Sequence, residues 1–203
     1  MNKGLYFLST VYSLLLLFQA PVHAEENPLV DIQVVNPHIQ IEIRYATSNN
    51  FMKETLYPKA RCLLRAEVAE KINRVQESLE KQGLGLKIFD GYRPLSVQKK
   101  MWAKFPLDGY VANPAKGSNH NRGAAVDLTL VDKEGRELPM PSDYDEFSER
   151  AHRDYAGGTE EQRKNRQILE DEMTKEGFHG ISTEWWHFDD KDCKNYPLLD
   201  FPL

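Results

Sequence analysis

The sequence predicts a single α+β domain with a mostly antiparallel sheet and helices packed on it. Apolar residues alternate over 39–45, as in a half-buried strand, and recur in steps of three and four over 64–79, as in an amphipathic helix. Strand and helix patterns do not alternate regularly, as they would in a doubly wound parallel sheet. The 203 residues, 40% hydrophobic and 28% charged, have the length and composition of one globular domain.

The elements follow in chain order from residue 29. A strand with its entry loop covers 29–45, and the helix over 64–79 can end at Gly83, because glycine accepts the left-handed conformation that closes many helices. The residues beyond the first helix predict a strand, a turn that ends in proline, and a second helix. These three segments are 84–89, 90–94 and 95–105.

The second half of the domain begins with a strand over 123–130 and a hairpin turn over 132–135. Thr159 and Gln162 have the spacing of a capping box, which predicts a charged helix that runs to about Glu176. The last predicted strand is 184–188.

The first 24 residues have the pattern of an export signal. Lys3 supplies a positive start, an apolar run follows over 4–18, and small residues surround a cleavage point before Glu25. The apolar run is shorter than the roughly 20 residues that a membrane-spanning helix needs, so we expect cleavage rather than an anchor. The expected product is a domain of residues 25–203, in the periplasm or outside the cell, with no membrane contact.

Charge and cysteine content narrow the function classes. Lysine and arginine number 26 against 31 aspartates and glutamates, a formal charge of −5, and no basic face indicates a nucleic-acid partner. Cys62 and Cys193 lack the CxxC spacing of a zinc knuckle or redox pair. In an oxidising compartment we expect them to form one disulfide, with two free thiols as the alternative. The oligomeric state is not predicted.

Two segments carry unusual combinations of polar residues. His120 and Asp127 lie seven residues apart with small residues between them, and Glu184 precedes His187 with two tryptophans between. Two histidines and one aspartate form a three-ligand set that leaves a fourth zinc position for water, as catalytic zinc requires. Glu184 is then a free carboxylate that can carry a proton.

Glu184 and His187 pose a geometric problem. Residues three apart on a regular strand face opposite sides of the sheet. Both can reach one metal only if the segment bends or if Glu184 lies at the edge of the strand. The remaining histidines of the domain lack partners, and we interpret them as ordinary core or surface residues, as we interpret Asp143 and Asp189 as solvated acids. These histidines are His38, His152 and His179.

The pattern His120-x-x-Gly123-x-Ala125-x-Asp127, followed by Glu184-Trp185-Trp186-His187, resembles the zinc D-alanyl-D-alanine dipeptidases of the VanX type. These belong to a wider group of D-Ala-D-Ala carboxypeptidases and endopeptidases. Further segments resemble that family in order and spacing, so that the likeness covers essentially the whole chain after the export signal. These segments are 45–47, 90–94, 140–145, 149–152 and 200–202.

The resemblance implies roles for individual residues. His120, Asp127 and His187 would bind one zinc ion, and Glu184 would act as general base and acid. Arg93 would stabilise the oxyanion, a role that suits a planar fork of donors; without the resemblance it would be a surface arginine in a turn. Weaker matches imply that a pocket for the substrate contains Asp145, which would pair with a free ammonium group, together with Ser118 and Tyr45.

The resemblance thus implies hydrolysis of the dipeptide D-Ala-D-Ala in one step, without a covalent enzyme intermediate. Family members tied to glycopeptide resistance are cytoplasmic, whereas an export signal favours a role in wall turnover or D-alanine salvage. One alternative is a murein carboxypeptidase or endopeptidase that trims longer stem peptides. A second is a zinc-bearing binding module without catalysis, because signalling domains of the hedgehog type resemble this fold.

Overall fold

The computed structural model describes residue 1 and residues 28–107 and 109–203. The predicted export signal therefore lies outside the described residues, apart from Met1. Within the described part of the chain, no helix has both the length and the apolar character needed to cross a bilayer.

A five-stranded sheet forms the centre of the domain, in the order β2-β4-β5-β7-β6. Four of its strands pair antiparallel, and β2 at one edge runs parallel to β4. The prediction of a mostly antiparallel sheet is confirmed, with a mixed edge that arises because the chain returns through a helix between β2 and β4. A separate antiparallel pair joins β1 to β3. The strands are β1 (Leu29–Asp31), β2 (Gln40–Ile41), β3 (Leu63–Arg65), β4 (Leu84–Asp90), β5 (Ala125–Asp132), β6 (Phe178–Ile181) and β7 (Glu184–Asp190).

Two long helices, which contact each other, pack on this sheet. The apolar stripe of α2 is fully buried against β4, as the periodicity predicts. The capping box of α4 is present, because the Thr159 hydroxyl accepts from the backbone of Gln162 and the Gln162 side chain accepts from that of Thr159. The helices are α1 (Ile32–Val35), α2 (Ala66–Glu80), α3 (Leu95–Lys104) and α4 (Glu160–Lys175).

Three sequence predictions differ from the structure. The strand expected over 39–45 is only two residues long, because a short 3-10 turn, Arg44–Ala46, follows it. Strand β6 is missed, because Gly180 interrupts the apolar alternation that would indicate it. The prediction of a disulfide is wrong, because Cys62 and Cys193 are both buried free thiols. Cys62 directly precedes β3, and Cys193 begins the short 3-10 turn after β7.

Candidate metal centre and active site

Three elements bring the two histidines and the aspartate together. Asp127 on β5 lies directly opposite His187 on β7 in the antiparallel register. His120 lies in a 3-10 turn that leads into β5 and ends at Gly123, whose φ of +68° is a conformation that side-chain-bearing residues rarely adopt. A Cβ atom there would also collide with Leu29. The turn therefore depends on glycine to aim His120 at the sheet.

The three side chains present their ligand atoms as a small triangle. His120 Nε2 lies 3.1 Å from His187 Nδ1 and 3.3 Å from Asp127 Oδ1, and the third side, from His187 Nδ1 to Asp127 Oδ1, is 3.0 Å. Tetrahedral zinc with bonds of about 2.0–2.1 Å requires ligand atoms about 3.3 Å apart. Among the described residues, these three form a cluster able to hold a metal ion, and its dimensions fit zinc.

Outer partners fix the orientation of each ligand. His120 Nδ1 lies 2.7 Å from the Gly91 carbonyl oxygen and His187 Nε2 lies 3.0 Å from Asp189 Oδ1, so both of these nitrogens donate. The opposite nitrogens face the centre of the triangle, where each would offer its lone pair to a metal ion. Asp127 Oδ2 accepts from the Tyr144 hydroxyl at 3.0 Å. Such partners are typical of metal sites in proteins, where they set the tautomer of each histidine.

The electrostatics of the cluster favour a cation. Burial alone would raise the pKa of Asp127, but His120 and His187 outweigh it and hold that pKa well below its ordinary value. Burial would likewise lower the pKa of His187, but its hydrogen bonds to Asp127 and Asp189 raise it to about 10. Without metal, the buried carboxylates therefore stabilise a proton at His187, and a metal ion would displace that proton.

The prediction that Asp189 is a solvated acid is wrong. It is only 6% exposed, and its carboxylate binds His187. The sequence contains a usable signal, because residues two apart on a strand share a face and Asp189 follows His187 by two. Asp143 is exposed, as expected.

Glu184 opens strand β7 and reaches the same cavity as His187. The pairing between β6 and β7 is irregular here: Gly180 pairs with Phe188, yet the next residue, Ile181, pairs with Glu184. This irregularity is the bend that the spacing of Glu184 and His187 requires. Burial is the main cause that raises the pKa of Glu184 to about 7, and Asp127 adds to the rise while His187 opposes it.

Arg93 is buried and lines the cavity, so the alternative of a surface arginine is wrong. Its Nε and Nη2 donate to Asp90 Oδ2 at 3.1 and 2.8 Å, and its Nη1 donates to Gln98 Oε1 at 2.9 Å. Asp90 is itself held by the Tyr57 hydroxyl at 2.9 Å. Asp90 and Gln98, which the sequence does not predict as site residues, hold the guanidinium in one orientation.

The expected substrate residues also line this cavity. Asp145 has a φ of +60°, and both of its carboxylate oxygens accept from the Tyr45 hydroxyl at 3.2 Å. Burial, followed by the charges of Asp127 and Glu184, raises the pKa of Asp145 well above its ordinary value. The Ser118 hydroxyl accepts from the backbone of His120 at 3.3 Å. Together, the carboxylates of Asp145, Asp127 and Glu184 form an environment in which a cation would be stabilised.

The cavity has a volume of about 290 Å³, and aromatic side chains line it beside the polar ones. These are Tyr45, Phe51, Tyr110, Phe147 and Trp186. Two of the histidines outside the site have partners, contrary to the expectation: His38 Nδ1 lies 3.3 Å from Glu80 Oε1, and His152 Nε2 lies 3.4 Å from the Tyr110 hydroxyl. His179 is exposed.

Comparison with known proteins gives matches that cover most of the chain. The peptidase M15 profile, described as D-ala-D-ala dipeptidase, matches residues 25–201. A D-alanyl-D-alanine dipeptidase of Escherichia coli is 39% identical over 87% of this chain and 91% of its own length. One of the same name from Enterococcus faecium is 33% identical over 81% and 93%. The solved LdcB LD-carboxypeptidase aligns with 66% of this chain and 63% of its own, at 22% identity and a TM-score of 0.43, which is too low for a conclusion.

Proposed function

The chain belongs to the peptidase M15 family of D-ala-D-ala dipeptidases, and on that premise we propose that it hydrolyses D-Ala-D-Ala to two molecules of D-alanine with one zinc ion. His120, Asp127 and His187 would hold the zinc. The observation that carries the proposal is the triangle of ligand atoms, 3.0–3.3 Å on a side, in a cavity that Glu184 and Arg93 also line.

Zinc, when bound, polarises the scissile carbonyl and lowers the pKa of a bound water. Glu184 takes a proton from the attacking water and delivers it to the leaving amine as the C–N bond breaks. A pKa of about 7 suits both transfers, because the group can gain and lose a proton at neutral pH. Arg93 stabilises the negative charge that develops on the carbonyl oxygen. Its hydrogen bonds to Asp90 and Gln98 hold it in place before the reaction begins.

The surroundings of Asp145 support a dipeptide rather than a longer stem peptide. Asp145 lines both the active-site cavity and a second cavity, so this residue forms part of the wall between them. Burial is the main cause that raises the pKa of Asp145, and repulsion by Asp127 and Glu184 adds to it. A free ammonium group placed beside Asp145 would relieve that repulsion. A murein carboxypeptidase would instead need this end of the cleft open, to admit the rest of the stem.

Release of D-alanine by the zinc-loaded protein tests this function. We offer D-Ala-D-Ala, its N-acetyl derivative and a pentapeptide stem that ends in the same pair. Rapid turnover of the free dipeptide is expected, with poor turnover of the other two, because an amide leaves the half-buried Asp145 without a cationic partner. Equal rates on acetyl-D-Ala-D-Ala would rule out the ammonium anchor. Turnover of the pentapeptide would indicate a wall-trimming enzyme, and no turnover with zinc retained would indicate a binding module.

We further propose that the domain acts outside the cytoplasm, after removal of residues 1–24, in wall turnover or D-alanine salvage. The charged start, apolar run and small residues before Glu25 support this proposal. The mass of the protein recovered from the periplasm or medium of a bacterial host tests it. A mass equal to that of residues 25–203 is expected, and a full-length product in the cytoplasm would contradict export.

A further inference from the structure

Arg153 lies outside the cavity yet joins both strands of the segment that carries Glu184. Its Nε donates to the Ile181 carbonyl at 2.9 Å, and its Nη2 donates to the His187 carbonyl. The backbone N–H of Arg153 donates to the Ser182 carbonyl at 3.0 Å. One residue therefore contacts the backbone before, within and after the connection between β6 and β7.

The guanidinium of Arg153 is closely packed by its neighbours. Its side chain is 15% exposed, it forms an ion pair with Glu170, and its Cζ lies 4.3 Å from the centre of the Phe188 ring. A Cβ atom on Gly180 would overlap this guanidinium. Gly180 does not have a positive φ, so an alanine here would displace the guanidinium rather than strain the backbone.

Glu184 and His187 differ in what orients them. The ring of His187 is held by Asp127 and Asp189. The carboxylate of Glu184, by contrast, has no hydrogen-bond partner among residues 28–107 and 109–203. Its position therefore depends on the backbone of the connection between β6 and β7, which Arg153 fastens at both ends.

We propose that Arg153 is a positioning residue, which holds the connection between β6 and β7 so that Glu184 faces the reacting atoms. This inference rests on the proposed function. Arginine suits the role because its planar fork donates to Ile181, His187 and Glu170 at once, whereas a lysine ammonium on one stem does not span the same three acceptors. Gly180 belongs to the same device, because it leaves the space that the fork occupies.

The test compares Arg153→Lys, Arg153→Ala and Gly180→Ala with the matched control Arg166→Lys. Arg166 also donates to a nearby carbonyl, that of His152, but the structure gives it no bond to the connection between β6 and β7. For each protein we measure kcat and KM on D-Ala-D-Ala, zinc affinity by chelator competition, and the midpoint of thermal unfolding. Assays are run well below that midpoint, so that every molecule counted is folded.

We expect kcat to fall by about 100-fold in the Arg153 and Gly180 variants, because a catalytic group displaced by about 1 Å loses this much. KM and zinc affinity should stay close to those of the wild type, and Arg166→Lys should retain its kcat. Guanidinium chloride at a low, non-denaturing concentration should restore part of the kcat of Arg153→Ala, whereas tetramethylammonium chloride should not. If Arg153→Ala does not fold, the kcat values of Arg153→Lys and Gly180→Ala test the inference.

A lower unfolding midpoint with unchanged kcat would assign Arg153 a purely structural role and overturn the inference. A fall in kcat that zinc loss fully explains would overturn it as well. Both outcomes leave the proposed function intact, since the wild type still turns over the dipeptide. A wild-type protein that is inactive on D-Ala-D-Ala would overturn the proposed function, and this inference with it.

Discussion

Replacing Glu184 with glutamine is expected to remove nearly all turnover of D-Ala-D-Ala while the protein keeps its zinc and its fold. Glutamine has the shape of glutamate but cannot accept the proton of the attacking water. General acid–base catalysis contributes about 10²- to 10⁴-fold to a rate. Because Glu184 would serve as both base and acid, we expect a loss at the upper end of that range. D-alanine release and zinc content per chain are the measurements.

Asp143→Asn is the matched control, because it removes a carboxylate two residues from Asp145 that is exposed to solvent. Its rate should equal that of the wild type. The wild-type rate should also fall as the pH is lowered, because Glu184 then gains a proton and can no longer act as a base. The pKa of Glu184 is about 7 without metal. A bound cation favours the carboxylate, so the fall should begin at or below about pH 7. Stoichiometric loss of zinc in Glu184→Gln would mean that Glu184 is a ligand and that its assigned role is wrong.

The parts of the fold that the sequence predicts correctly are those with local periodicity. The buried stripe of α2 and the capping box at Thr159 depend on residues three and four apart, and these spacings are visible in one sequence. Strand β6 is short and contains Gly180, so its apolar pattern is too weak to detect. A disulfide between Cys62 and Cys193 depends on distance in the fold, which sequence separation does not reveal.

The site, like the fold, contains residues that the sequence predicts and residues that it does not. Its ligands and Glu184 are recognised because their residue types and order match a family, and the structure places them around one cavity. The residues that orient them are less visible. Asp189 could have been inferred from strand periodicity, but the bonds of Arg153 to Ile181 and His187 join segments that are 28 and 34 residues apart. No local pattern encodes such a contact, because it is made by the side chain and by backbone carbonyls that any residue could supply.

Zinc affinity should fall most in His120→Ala, less in Asp189→Ala and least in Asp189→Asn. His120→Ala removes one of three ligand atoms, so the site should be empty at zinc concentrations that fill the wild type, and turnover should be lost. Asp189→Ala leaves the ligands in place but removes the acceptor of His187 Nε2. The loss of such an outer partner weakens metal binding by about 10- to 100-fold. Asp189→Asn keeps an oxygen acceptor, and its loss should be smaller.

Chelator competition measures the affinities, and thermal unfolding gives a readout that does not depend on activity. Zinc that binds the folded state alone stabilises it by about 4 kcal/mol at a thousand times its Kd. Added zinc should therefore raise the unfolding midpoint of the wild type and of His179→Ala, a control at an exposed histidine, but not that of His120→Ala. If zinc still stabilised His120→Ala as strongly as the wild type, the ion would be bound elsewhere, and the triangle formed with Asp127 and His187 would not be the metal site.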